Sequence, residues 1–100
     1  MTHPTIADTA DLHLIRYTYP PTLEGRYVVY RLFLGEELAY VGFTNNLTRR
    51  LVQHRRYKSW ARFVDYVDCY PVATRAQALT VEAEMIRAEN PIFNIVRPGV

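Results

Sequence analysis

The chain is predicted to fold as one α+β domain: a three-stranded, mainly antiparallel sheet flanked by helices, in the order β-β-α-α-β-α. Three observations carry this. Two runs rich in Val, Tyr and Phe, Tyr27 to Leu34 and Leu38 to Phe43, are parted only by Gly35-Glu36-Glu37 and so read as a hairpin. Two later stretches open on helix-capping residues, at Thr44-Asn45-Asn46 and at Thr74-Arg75-Ala76-Gln77. A further strand-like run, Val64 to Val72, lies between them.

The elements follow in order. Residues 1–26 read as an N-terminal extension, with a polar stretch to Ala10 that is expected to fray and an extra strand within Leu12 to Tyr19, stopped by Pro20-Pro21. Residues 27–100 form the domain proper. After the hairpin, the oxygens of Thr44-Asn45-Asn46 are expected to cap a helix reaching about Tyr57, with Leu47 and Leu51 on its buried stripe. A short helical turn starts at Ser59. The third strand ends near Pro71. The Thr74 capping box starts a last helix that Pro91 stops, and Leu79, Ala83 and Ile86 are the expected core stripe of that helix.

One hundred residues suit one domain with a modest core. Apolar residues make up 49% and charged residues 22%, ordinary for a globular chain. The apolar runs are too short to span a bilayer, and the N-terminus has no basic-then-apolar leader pattern, so a cytoplasmic location is expected, with no membrane partner. The single cysteine, Cys69, excludes an internal disulfide and a cysteine-based zinc site, and its strand-like surroundings suggest a buried thiol.

Net charge is only +2, but it is unevenly spread. No acidic residue lies between Glu37 and Asp65, and that gap holds Arg49, Arg50, Arg55, Arg56, Lys58 and Arg62, half of the 12 Lys and Arg. Tyr57 and Trp60 lie among them. Such a stretch is a candidate nucleic-acid contact, with cations for phosphates and rings for bases or sugars. It equally describes a solvated helix face.

Several polar residues can do chemistry. Arg50 and His54 are four apart and share a helix face beside Leu47 and Leu51, whereas Arg49 is turned away. A guanidinium held at the edge of an apolar stripe can stabilise charge on a phosphate through paired N–H bonds, or it can simply snorkel. Glu82 lies three residues after Leu79 and four before Ile86, at the margin of the expected stripe. There it can serve a hard divalent cation, which needs only one or two protein carboxylates, or it can pair with Arg75 or Arg87. Tyr30 and Tyr40 fall on paired strands, as cross-strand packing or as two hydroxyls over one site. Gly42 permits close backbone approach or a tight strand exit.

The combination of these residues is more specific than its parts, and it resembles the GIY-YIG nuclease family from about Tyr27 to Asn94. Val28-Val29-Tyr30 matches the first motif, with Val28 in place of its glycine, and Tyr40-Val41-Gly42 matches the second. Thr44 through His54 follows the pattern Thr-x-Asn-Leu-x-x-Arg-Leu-x-x-His, and Ala78-Leu79, Glu82, Ile86, Pro91 and Asn94 follow the last motif. Trp60 is similar to the tryptophan of small bacterial members. The resemblance implies a metal-dependent DNA endonuclease with one Mg²⁺ or Mn²⁺ held by Glu82 and with Arg50 on the scissile phosphate. Tyr30 is the tyrosine better placed to position or deprotonate water, with Tyr40 and His54 as relay partners. Gly42 and Asn94 would support the site, and Arg49, Arg55, Arg56, Lys58, Trp60 and Arg62 would hold DNA. Targeting is expected from a partner chain or a homodimer, and no small-molecule cofactor is implied. The alternatives are a non-cutting nucleic-acid-binding module of the same fold and a protein-interaction domain.

Overall fold

A computed structural model describes residues 16–17 and 27–94. Its strands are β1 (Arg16–Tyr17), β2 (Tyr27–Leu34), β3 (Glu37–Thr44) and β4 (Tyr66–Val72), and its helices are α1 (Leu47–Tyr57) and α2 (Arg75–Glu89). A five-residue 3-10 turn, Ser59–Phe63, separates α1 from β4.

The sheet order is β1-β4-β2-β3. Strands β4, β2 and β3 form the expected antiparallel trio. A fourth, two-residue strand joins it, Arg16 and Tyr17 pairing in parallel with Tyr66 and Val67. This short pairing falls inside the Leu12 to Tyr19 segment anticipated as a strand. The frayed stretch expected to Ala10 and the Pro20-Pro21 stop lie outside the described residues.

Strand β2 is paired on both edges, and each of its faces is covered. Val28, Tyr30 and Leu32 face one side and pack with Leu47, Leu51, Val64, Val67 and Cys69, under α1. Val29 faces the other side and packs with Val41 and Ala78, under α2. The result is a helix–sheet–helix sandwich, the arrangement that lets a sheet apolar on both faces bury each of them. Cys69 is 1% exposed, as its surroundings suggested.

The hairpin turns at Gly35, whose φ of +62° lies in the left-handed region open to glycine. The register slips between Leu32 and Phe33, so that Leu32 opposes Tyr40 while Phe33 opposes Leu38. Ala39 is the residue left over. A bulge of this kind resets the inside–outside alternation.

Both helices start where the capping residues said they should. Asn46 accepts from the Arg49 N–H at 3.1 Å, and its own N–H donates to Thr44 Oγ1 at 3.0 Å. Thr74 and Gln77 form a complete capping box. Helix α2 ends at Asn90, which takes the left-handed conformation at φ 50° just before Pro91.

One expectation is corrected. Of the expected α2 stripe of Leu79, Ala83 and Ile86, Ile86 packs against the core but Leu79 and Ala83 do not. Ala78 is fully buried, and Val81, Met85 and Ile86 pack beside it, while Leu79 is 40% exposed and Ala83 lies on the exposed side. The contact with the sheet is made through the smallest side chain, so the stripe is rotated by about one residue from the one drawn through the larger leucine. Near its C-terminal end α2 is fastened electrostatically, because Arg31 of β2 donates to both Asp68 of β4 and Glu89 of α2.

Residues 92–94 run along the outer edge of β3. Ile92 N–H donates to Leu38 O at 3.2 Å and Phe93 N–H to Ala39 O at 2.8 Å. Asn94 then takes both backbone groups of Val41, accepting its N–H on Oδ1 and donating Nδ2–H to its carbonyl, each at 2.8 Å. These bonds satisfy an otherwise open strand edge. Asn94→Ala removes two partners from the backbone of one fully buried residue, Val41, and the expected cost is about 1–3 kcal/mol, read as a lower urea midpoint with an unchanged slope.

Candidate functional site

The hairpin and the two helices meet at the end of β3. Tyr30 on β2 lies directly across from Gly42, and Tyr40 opposes Leu32, so both rings lie on the α1 side of the sheet. Their centroids are 6.2 Å apart. The fit at Gly42 is close: a Cβ built there would lie 2.6 Å from Tyr30 Oη, 2.8 Å from Tyr30 Cζ and 2.9 Å from Tyr40 Cε2. Glycine is therefore required by the Tyr30 ring, which crosses over its Cα.

Arg50 and His54 rise from α1 toward these rings. Tyr30 Oη and His54 Nε2 are hydrogen-bonded at 2.8 Å. The His54 ring also meets the Tyr40 ring edge-on, with centroids 4.8 Å apart. Burial first, then the charges of Lys58 and Arg50, pull the His54 pKa down to about 4, so the imidazole is neutral at physiological pH. Tyr30 is pushed well above the ordinary tyrosine range by burial and by Tyr40, with Arg50 opposing. The pair therefore rests as neutral hydroxyl and neutral imidazole.

A consequence for stability follows from His54. The unfolded chain takes up a proton near pH 6.5, the ordinary histidine value, and the folded chain only near pH 4. The unfolded state binds more protons throughout that window, so stability is full above pH 6.5 and is lost as pH falls toward 4. The slope from this one group is at most about 1.4 kcal/mol per pH unit. Urea titrations from pH 7.5 to 4 should show it, and His54→Gln should flatten it.

A cleft of about 330 Å³ opens beside these groups, lined among others by Tyr40, Gly42, Arg50 and Glu82. It bends around the edge of β3, which is how Glu82, on the α2 side of the sheet, comes to share a wall with Tyr40 and Arg50 from the α1 side. The two tyrosines divide here. Tyr40 is half-buried and lines the cleft, whereas Tyr30 has 0% exposure and lies behind it. Tyr40 is raised above its usual range by burial and by Glu82, with Arg50 pulling the other way. Both hydroxyls are thus protonated donors at neutral pH.

Glu82 is half-buried, and burial raises its carboxyl above the usual range while Arg50 opposes. Among the described residues, the ion pairs are those of Arg31 with Asp68 and Glu89, so Glu82 pairs with neither Arg75 nor Arg87. Arg50 also closes no ion pair there. Glu82 is the one carboxylate among the cleft-lining residues, and no cluster of three His, Cys, Asp or Glu side chains occurs among the described residues. A half-buried carboxylate without an ion-pair partner offers oxygen donors alone. It fits a hard cation such as Mg²⁺ or Mn²⁺, which keeps most of its shell as water and phosphate oxygen.

The remaining expected residues are placed differently from one another. Arg49 is exposed and lines a smaller hollow with Arg50, Asn45 and Gln53 at the first turn of α1, adjoining the cleft. Arg56 and Arg62 are exposed, and Arg55 donates to the Arg62 carbonyl at 3.3 Å. Lys58 Nζ lies 5.1 Å from the centre of the Tyr40 ring. Trp60 is not a free surface ring. It is half-buried, stacked on Phe93 at 4.7 Å and 5°, and in contact with Tyr40 and His54. Phe93, unremarked in the sequence, thus backs the site together with the Asn94 clamp.

Arg75, Tyr27 and Phe43 also line the cleft. In the sequence, Arg75 stands out only within the capping stretch and as a partner for Glu82. The signal was present: Arg75 and Glu82 are seven apart, two helical turns, and so lie on one face of α2.

No protein-family model, curated protein or solved structure matches this chain.

Proposed function

We propose that the chain is a metal-dependent endonuclease of the GIY-YIG type that hydrolyses DNA phosphodiester bonds. The observation that carries this reading is the convergence of Tyr40, Arg50 and Glu82, from three separate elements, on one cleft in which neither charge is neutralised by an ion pair among the described residues. Partly buried charged groups without an ion-pair partner are suited to a charged ligand.

The roles follow from placement. Arg50 presents N–H groups to the non-bridging oxygens of the scissile phosphate and stabilises the charge that grows there as water attacks. Glu82 would hold the Mg²⁺ or Mn²⁺, which when bound supplies Lewis-acid charge to the phosphate. Tyr40, at the cleft wall, positions the attacking water through its hydroxyl. Tyr30 and His54 act through Tyr40 as positioning residues, because Tyr30 is sealed behind Gly42 and His54 packs against the Tyr40 ring edge-on. A new O–P bond forms as the bond to the 3′-oxygen breaks; the attacking water gives its proton to bulk solvent, and the departing 3′-oxygen takes one up from bulk solvent to become the hydroxyl. Arg49 and the exposed Arg56 and Arg62 supply sequence-independent phosphate contacts.

Arg50 gives the sharpest test of this assignment. With Mg²⁺, the wild-type protein should cut a branched DNA, and Arg50→Ala should slow the rate at saturating DNA by on the order of 10²–10³-fold. Arg50→Lys should recover only part of it, since lysine offers a point charge without the planar pair of donors. Equal rates for wild type and Arg50→Ala would refute the role of Arg50.

A further inference from the structure

We infer that Tyr27, Phe43 and Arg75 form a second subsite of the cleft, which takes the nucleotide next to the scissile phosphate, its base on the rings and its phosphate on Arg75. This inference rests on the nuclease reading for its choice of ligand. The cleft, at about 330 Å³, is much larger than one phosphate group needs. Its two guanidiniums come from opposite sides: Arg50 from α1 and Arg75 from the first turn of α2. Arg75, like Arg50, closes no ion pair among the described residues.

Beside Arg75 the cleft is lined by two aromatic rings, Tyr27 and Phe43. The Arg75 guanidinium carbon is 5.6 Å from the centre of the Phe43 ring. A guanidinium held against a ring keeps its charge and turns its N–H groups outward, toward an anion. Tyr27 and Phe43, with centroids 6.3 Å apart and planes tilted by 49°, are both only half-buried. Their inner edges pack against the Val29, Val41 and Ala78 cluster, which fixes them, while their remaining surface borders the cleft. Fixed rings beside a cation make a stacking platform that accepts any base, because every base has a π-face. The subsite therefore orients a strand without reading its sequence.

The test uses binding of a short single-stranded DNA oligonucleotide to the Glu82→Gln protein, followed by fluorescence anisotropy over a range of salt. Adding Arg75→Gln should weaken binding about tenfold and lower the slope of log affinity against log salt by about one. Adding Phe43→Leu, which keeps apolar volume but removes the ring, should weaken binding about tenfold, and an oligonucleotide lacking the base at that position should erase the difference. Unchanged affinity and slope in Arg75→Gln would overturn the subsite. The two readings fail separately. A wild-type protein that never cuts, yet binds DNA through Arg75, sinks the nuclease and keeps the subsite. A wild-type protein that cuts, with KM and binding indifferent to Arg75, sinks the subsite and keeps the nuclease. A parent protein that binds no DNA removes both.

Discussion

Gly42→Ala is expected to disable the site while leaving the chain folded. The new methyl carbon would start 2.6 Å from Tyr30 Oη and 2.9 Å from Tyr40 Cε2, far inside contact distance. Tyr30 cannot swing away freely, since it is fully buried and hydrogen-bonded to His54. Either β3 moves outward or both rings shift. Overpacking of this kind costs about 1–3 kcal/mol. The functional loss should exceed the loss of stability, because a displacement of about 1 Å in a reacting geometry can cost on the order of 10²-fold in rate. Thermal melting beside cleavage at saturating DNA separates the two effects. Tyr30→Phe in the same chain removes the most crowded atom but leaves the ring carbon at 2.8 Å and takes the partner from the buried His54 imidazole, so it should restore neither stability nor activity. A Gly42→Ala protein with wild-type melting and wild-type rate would contradict the close fit.

Glu82→Gln should show the opposite pattern, with activity lost and stability kept or gained. Burial raises the Glu82 carboxyl above its ordinary range, so the folded state holds that proton more tightly than the unfolded state does. Stability from such a group is full below the unfolded pKa and is lost as pH rises through the higher folded value. At neutral pH the ionised carboxylate therefore opposes folding, and the neutral amide lifts that opposition. The melting temperature of Glu82→Gln should be equal to or above that of wild type at pH 7.5, while the cleavage rate falls by on the order of 10²-fold or more. A variant that lost stability along with activity would mean that Glu82 is a structural residue.

Much of this arrangement can be read from residue order. The hairpin is announced by two β-rich runs around Gly35, and both helix starts by side chains whose oxygens cap backbone N–H groups. These are local signals, decided within a few residues. The phase of α2 is harder to read, because Leu79 carries more apolar surface than Ala78, yet close helix–sheet contact favours the smaller side chain. Alternation along β2 and β3 places Tyr30 and Tyr40 on one face but says nothing about depth. Only the packing of α1 and the crossing at Gly42 seal Tyr30 in and leave Tyr40 at the cleft. The parallel pairing of Arg16–Tyr17 with β4 and the stacking of Phe93 on Trp60 join residues far apart in the chain, and no local pattern encodes them.

The measurement that bears most directly on the central claim is a time course of supercoiled plasmid with the purified wild-type protein in Mg²⁺, in Mn²⁺ and in EDTA. The expected result is conversion to nicked circles with either metal and none with EDTA, the nicks carrying 5′-phosphate and 3′-hydroxyl ends. Plasmid left intact under all three conditions, although the protein binds it, would contradict the claim that this cleft cuts DNA.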